Sequence, residues 1–484
     1  MKALGLGETK FGKIWYYSSV LLVIEGMALF LPGLLAYVDS DYDLSVIFFS
    51  VGGLSLILGF LSMILLGKPS RLGYDEALSI AAFGWLLLTF VGSLPFSLSG
   101  YLSGLDGFFE SMSGFTATGL TMFSDVESLP RAILFWRSFT QWIGGVGVIV
   151  LFLSILIRSS GIAAKLYKAE GRTDRIATNI VSTARRIWGI YILYTVLCII
   201  GLIALMGVGK TFDAVNVSMT CLATGGFAVT NDSIAAYPGY IATFIIPFMI
   251  LGGISFASHR HLLKRNFKEF FTIEVKAILL IIFLASILLM TRLGGLDSFF
   301  QTASALTGTG FSTATIREWD DFSKFILSIL MVLGGGYGST SSALKMIRVV
   351  IIIYAVAWVV KKFLYSRKAV IPFKIGRNTY PVEEIRIATL YSILYILVLC
   401  LGALVFMATQ APEGFYGANG PETYTAADSL FEVASAEGNV GLSTGITNAA
   451  MPGHLKVVLI IEMWVGRLEI FPVLTLLAVP FRKR

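Results

Sequence analysis

Four stretches of this sequence end in small residues and glycine, where a chain can turn its carbonyl oxygens toward a common point. They read GLDGFFESMSGFTATGLT (Gly104–Thr121), TFDAVNVSMTCLATGGF (Thr211–Phe227), SFFQTASALTGTGFS (Ser298–Ser312) and AADSLFEVASAEGNVGLS (Ala426–Ser443). Aligned on one glycine, they place Thr116, Ala117 and Thr118 before Gly119, and Leu222, Ala223 and Thr224 before Gly225. Thr307, Gly308 and Thr309 precede Gly310, and Gly438, Asn439 and Val440 precede Gly441. A dehydrated monovalent cation needs several oxygens in place of its water shell, and rings of backbone carbonyls supply them. Glycine reaches the positive φ that turns carbonyls inward. Thr, Ala and Ser are small enough for four loops to converge. No charged side chain is needed, which suits an ion that must leave again. A single Thr-x-Thr-Gly is usually a helix cap or turn; four copies in one context form a pattern.

The context is apolar. The 484 residues are 56% hydrophobic and 14% charged, with a mean hydropathy of +0.80. Soluble domains are about 45–50% apolar and about 25% charged. A bilayer core takes about 20 apolar residues per helix. Spanning helices are expected over 14–38, 44–67, 75–97, 132–157, 187–208, 238–260, 272–292, 322–360 (interrupted), 386–408 and 455–480. The first is read as a retained helix, since no small-residue cleavage site follows it.

Loop charge alternates. Asp39, Asp41 and Asp43 follow the first segment, whereas Lys68 and Arg71 follow the second. Basic runs follow the fourth (Lys165, Lys168, Arg172, Arg175, Arg185, Arg186), the sixth (Arg260, Lys264, Arg265, Lys268) and the eighth (Lys361, Lys362, Arg367, Lys368, Lys374, Arg377). Arg482, Lys483 and Arg484 close the chain. The positive-inside rule puts these loops and both termini in the cytoplasm. It also accounts for the net charge of +7 without nucleic acid.

The four glycine stretches follow the third, fifth, seventh and ninth segments. Each is too short to span and too apolar for a solvated loop, so each is expected to be a half-length helix that re-enters the membrane. The result is an all-α membrane protein in which helix, half-helix, loop and helix repeat four times. The repeats cover 73–170, 171–268, 269–370 and 371–484, and two N-terminal helices lie in 1–72.

Within the eighth segment, Gly334–Ser342 reads GGGYGSTSS. Its Gly334, Gly335, Gly336, Gly338, Ser339, Thr340 and Ser341 favour open backbone over helix. An intramembrane loop that blocks the pore is expected there; a kink or packing face is the alternative. Arg467 and Glu469 interrupt an apolar helix. They form either a structural ion pair or, for Arg467, a positive barrier beside the loop. Lys345 joins that barrier or reaches back to the interface. His259 and His261, beside a basic loop, read as solvated or headgroup-facing. Cys198, Cys221 and Cys400 are too widely spaced for a metal motif and read as small apolar residues.

Further motifs match one family. TQWIGGVGVIV (Thr140–Val150), MILGGISFASH (Met249–His259), GGGYGSTSSALKMIR (Gly334–Arg348) and GRLEI (Gly466–Ile470) resemble the Trk/Ktr/HKT superfamily of potassium transporters, of the TrkH type, over residues 73–484. The resemblance implies four M1–P–M2 repeats like those of potassium channels. It makes Gly119, Gly225, Gly310 and Gly441 the filter glycines. It implies K+ as the transported ion, the plasma membrane as location and homodimers. It also implies a cytoplasmic ring of TrkA-type nucleotide-binding regulatory subunits, since no nucleotide-binding domain is legible here. Serine in the first repeat accompanies sodium permeation in this superfamily, and Gly119 opposes that. Glu437 departs from the pattern, where an apolar or aromatic residue is expected; it either joins a hydrogen-bond network behind the filter or marks a looser alignment.

No catalytic triad, zinc ligand set, phosphate loop or dinucleotide fingerprint is present, so an enzyme is not expected. A sodium-permeable member of the superfamily and the ion-binding subunit of an ATP-driven pump are the alternatives.

Overall fold

The computed structural model describes residues 6–147, 180–365, 371–376, 378–410, 416–417, 420–421 and 424–478. The fourth span beyond residue 147, Lys165, Lys168, Arg172, Arg175, Arg367, Lys368, Arg377 and Arg482–Arg484 lie outside them.

Helices dominate. They are α1 (Lys10–Val38), α2 (Tyr42–Leu66), α3 (Tyr74–Leu98), α4 (Gly104–Phe115), α5 (Arg131–Val146), α6 (Ile180–Met206), α7 (Thr211–Leu222), α8 (Gly239–Gly253) and α9 (Phe256–Leu263). Then come α10 (Ile273–Leu293), α11 (Gly295–Thr307), α12 (Asp321–Leu333), α13 (Met346–Leu364), α14 (Val382–Gln410), α15 (Ala426–Glu437), α16 (Gly453–Leu468) and α17 (Phe471–Ala478). Two antiparallel ladders of two residues per strand, at Lys374–Thr379 and Tyr416–Pro421, are the described β-structure.

Among the described residues, α1, α2, α3, α6, α10 and α14 are long and apolar enough to cross a membrane. Ile64, Leu284, Ile393 and Leu404 are among the large apolar side chains on their exposed faces. In water such a surface would be a liability; against acyl chains it is the required one. This is a multi-pass membrane protein.

The other four expected spans are not continuous. α5 ends at Gly147, which has φ +98°. α8 bends by 115° into α9. α12 stops at Gly334, with φ +69°. α16 stops at Glu469 and Ile470, both left-handed at φ +63° and +57°. Only the third of these breaks is legible in composition. The helices expected over 238–260 and 455–480 are therefore corrected to broken ones. Hydropathy measures side chains, and these interruptions lie in backbone angles.

Close helix packing relies on small residues. A Cβ on Gly26 of α1 would come within 2.9 Å of the Gly52 carbonyl of α2, and the reverse also holds. The half-helices are positioned by their first turns. Ser103 caps α4, and Thr425 caps α15 in a capping box with Asp428. Buried lysines then reach those turns from neighbouring helices. Lys324 of α12 pairs with Asp428 at 2.7 Å, and Lys456 of α16 pairs with Asp106.

Candidate ion pathway

α4, α7, α11 and α15 each end in the same backbone turn. The N–H groups of Thr118, Gly225, Thr309 and Val440 donate to the carbonyls of Ser113, Thr220, Ser304 and Ser435 at 2.8–2.9 Å. One left-handed residue precedes each: Ala117, Thr224, Gly308 and Asn439, at φ +55°, +52°, +74° and +52°. Two residues after it comes a glycine at positive φ: Gly119 (+104°), Gly226 (+75°), Gly310 (+78°) and Gly441 (+97°).

This corrects the sequence alignment in the second stretch. Gly225 does not adopt a positive φ; Gly226 holds the position of Gly119, Gly310 and Gly441. The tandem glycines offered two registers, and the turn geometry selects the second.

The four glycines close a ring. A Cβ on Gly119 would overlap the Gly225 carbonyl oxygen, and one on Gly226 the Thr309 oxygen. One on Gly310 would overlap the Val440 oxygen, and one on Gly441 the Thr118 oxygen. Each glycine packs on the carbonyl that precedes its counterpart in the next turn, and the fourth returns to the first. Asn439 pins this closing junction by donating to Thr118 Oγ1 at 2.9 Å. In the first and third turns the threonine hydroxyls pair, Thr116 with Thr118 and Thr307 with Thr309, both at 2.7 Å.

Polar struts hold the turns from behind, a feature that sequence reading missed. Glu110 accepts from Thr121 Oγ1 (3.0 Å) and Met122 N (2.8 Å), and is paired with Arg137 at 2.7 Å. Gln301 donates to Ser312 Oγ at 3.0 Å. Glu432 accepts from Ser443 Oγ (2.7 Å) and from Thr444 N (3.1 Å). Each strut lies nine residues before its glycine, and that recurrence was the available signal. The second turn has Val217 at this position. It is braced instead by α5: Gln141 donates to Gly225 O at 2.6 Å and accepts from Phe227 N at 3.0 Å, while Arg137 donates to Ala228 O at 3.1 Å.

On one side of the ring opens a cavity of about 660 Å³, lined in part by Gly119, Gly226, Gly310 and Gly441. At its margin, Asn231 donates to Asp125 at 2.9 Å, which holds that carboxyl below its usual range.

On the other side lies the segment between α12 and α13. It contains Gly334, Gly335, Gly336, Gly338, Ser339, Thr340 and Ser341. Thr340 Oγ1 sits 2.8 Å from Gly252 O and 3.0 Å from Leu222 O, and accepts from Thr224 Oγ1 at 3.1 Å. Gly336 N donates to Gly253 O at 2.8 Å. The segment thus lies across the ends of α7 and α8. Lys345 donates back to Ser341 O.

Arg467 and Glu469 do not pair with each other. Arg467 donates to Thr340 O (2.8 Å), Ser342 Oγ (3.1 Å), Gly145 O (2.7 Å) and Gly144 O. Glu469 takes the interhelical partner, Arg348 of α13. A guanidinium with five donors can span two backbones in this way; a lysine cannot.

Two other expectations change. His259 is fully buried, with Nε2 at 2.9 Å from Leu251 O and Nδ1 facing Tyr194 OH, so it is an interior residue rather than a headgroup contact. Glu437 is fully buried too, yet neither of its carboxyl oxygens has a hydrogen-bond partner among the described residues. Of the two expectations for Glu437, the hydrogen-bond network is absent among the described residues.

A membrane-spanning chain that closes four backbone turns into one ring, with a cavity on one side and the α12–α13 segment on the other, has the build of a transport protein. The chain belongs to the TrkH family of cation transport proteins, whose model matches residues 49–293 and 295–483. It is 38% identical over 421 residues to an uncharacterized cation transporter of Methanocaldococcus jannaschii, covering 86% of this chain and 85% of the relative. It is 31% identical over 494 residues to the Trk system potassium uptake protein TrkH of Escherichia coli (strain K12), covering 96% and 97%. The crystal structure of the potassium transporter TrkH from Vibrio parahaemolyticus superposes with a TM-score of 0.83 at 27% identity, covering 98% of this chain and 100% of that one.

Proposed function

We propose that this chain takes up potassium across the plasma membrane through a pore of four M1–P–M2 repeats, 73–170, 171–268, 269–370 and 371–484, with α1 and α2 outside them and both termini cytoplasmic. The carrying observation is the cyclic packing of Gly119, Gly226, Gly310 and Gly441 on their neighbours' carbonyls. It brings the backbones of four turns together as a dehydrated cation requires. The half-helices aim their partly negative ends at the same place. Residues 116–119, 223–226, 307–310 and 438–441 form the filter in this reading, and K+ is the cargo.

The loop from Gly334 to Lys345 is the gate. It is held shut by Arg467, whose charge also opposes a cation at that level. The potassium names of the relatives favour K+ over Na+. A homodimer with TrkA-type nucleotide-binding subunits on the cytoplasmic face is the assembly that this reading expects.

The test is growth of a potassium-uptake-deficient cell expressing this chain without any ATPase subunit, together with reversal potentials of the purified protein in mixed K+ and Na+. Rescue with a K+-selective reversal potential is the expected result. Equal permeability would replace potassium with the sodium-permeable reading, and rescue only with an added ATPase would make the chain a pump subunit.

A further inference from the structure

The bend between α8 and α9 and the segment between α12 and α13 complete each other's backbone. Thr340 N donates to Gly252 O at 3.2 Å, with Thr340 Oγ1 on the same carbonyl at 2.8 Å, and Gly336 N donates to Gly253 O at 2.8 Å. In return, Phe256 N donates to Gly338 O at 3.3 Å. The approach needs glycine: a Cβ on Gly335 would come within 2.6 Å of Gly253 O. Ser255 finishes the bend by capping α9, its Oγ accepting from Ala257 N at 3.3 Å.

In an unbroken α-helix each N–H donates to the carbonyl four residues before it. Phe256 N would then donate to Gly252 O, and Ala257 N to Gly253 O. Those are the four groups that Gly338, Thr340, Gly336 and the Ser255 side chain hold here. A bent α8–α9 with the segment seated, and a straight helix with the segment released, are therefore two complete ways of pairing the same groups. Backbone groups left unpaired at membrane depth are costly, so the bend is stable only while the segment occupies it. Once released, Gly336 N, Thr340 N and Gly338 O require water, which the lining of a cation path supplies.

We propose that residues 252–257 are a two-state seat that positions the α12–α13 segment: α8 and α9 bend to receive it and rejoin as one helix when it leaves. Ser255 is the positioning residue of the bent state, since its hydroxyl takes the Ala257 N–H that a straight helix would give to Gly253 O. Arg467 acts on the same equilibrium from the other face, through Thr340 O at 2.8 Å. Release of the segment then swings α9 into line with α8. That release opens a cation path rests on the gate reading above; the paired alternatives at the bend do not.

The test uses the full chain in liposomes, with Rb+ uptake for flux and electron–electron double resonance for distance. Spin labels go on Tyr240→Cys and Leu263→Cys, exposed positions at the two ends of the bend, with the exposed Cys400 changed to Ser. Arg467→Gln should add a population longer by roughly 10 Å, as the two helices come into line at about 1.5 Å per residue. Ala257→Pro suits the first turn of a separate α9 but not the interior of a continuous helix, where its ring meets the Gly253 carbonyl. Added to Arg467→Gln, it should remove the long distance and cut the gained flux by roughly tenfold or more. Ser255→Ala removes the cap of the bent state alone and should raise flux roughly fivefold, with the long distance appearing. If Ala257→Pro does not fold, Ser255→Ala carries the comparison by both readouts. A distance that stays short in every variant overturns the two-state seat, and a rise in flux beside it leaves the gate reading in place. The seat also falls if Ala257→Pro changes neither the long distance nor the flux of Arg467→Gln. A distance that lengthens with no rise in flux upholds the seat and overturns the gate reading instead.

Discussion

Arg467 donates to the carbonyl of Thr340 at 2.8 Å, tying the end of α16 to the middle of the segment that lies beneath the ring. The same guanidinium reaches Gly145 at 2.7 Å. One side chain therefore joins α5, the α12–α13 segment and α16. A hydrogen bond to a charged group contributes roughly 1.5–3 kcal/mol. Arg467→Gln should raise basal cation flux by about tenfold or more, measured as Rb+ uptake into liposomes. Flux equal to that of the parent protein would mean that the clamp does not hold the gate.

Shortening the proposed gate is a separate test. Removing residues from within Gly336–Ser341 should raise flux further than Arg467→Gln, because the obstacle goes and not only its latch. Low flux through a correctly folded, shortened protein would rule out the loop as the barrier.

Gly226→Ala and Gly225→Ala should differ. The first puts a side chain on a residue at φ +75° and against the Thr309 backbone. The second needs no positive φ but meets the end of the Gln141 side chain at 2.5 Å, so it loosens one brace of the turn without straining the ring backbone. A left-handed non-glycine residue costs roughly 1–2 kcal/mol before any overlap, or about tenfold in the population of the intact ring. K+/Na+ permeability ratios should collapse for Gly226→Ala and hold better for Gly225→Ala. The reverse order would restore the alignment on Gly225. Gly119→Ser should also loosen selectivity, by the same crowding.

Glu110→Ala should destabilise the protein by about 3–5 kcal/mol, because it leaves the Arg137 charge buried and unpaired. Both side chains are at most 2% exposed and lie 2.7 Å apart. A fall in the thermal midpoint of the detergent-solubilised protein would report this. Glu110→Ala combined with Arg137→Met should recover part of the loss. No recovery would mean that the pair is not the unit.

Much of the site is legible because glycine and threonine punctuate apolar sequence so visibly. Gly119, Gly310 and Gly441 stand where one-letter spacing puts them, and the triple glycine at Gly334 marks its own break. What stayed hidden has physical reasons. The interruptions after α8 and α16 fall in ILGGISF and VGRLEIF, where neither the paired glycines nor the two charged residues by themselves mark the end of a helix. Ile470, a β-branched residue at φ +57°, is the last residue from which a left-handed turn is expected. His259 stands beside basic residues in sequence yet points inward, since a bend of 115° intervenes between α8 and α9. The struts Glu110, Gln301 and Glu432 were visible as polar residues in apolar half-helices, but only a shared offset from the glycine, not residue type, identifies them.

Val217 gives the second turn a history as well as a shape. With no strut of its own, that turn borrows Gln141 and Arg137, residues that leave the ribosome before it does. Translation order and structural dependence run the same way: the brace is made first, and the part it supports follows. The ring cannot be sealed before Asn439 is made, since it bonds a Thr118 synthesised over three hundred residues earlier. A chain permuted to begin at its second repeat would hold the same atoms but synthesise them in the wrong order, with the second turn waiting for a scaffold made at the very end.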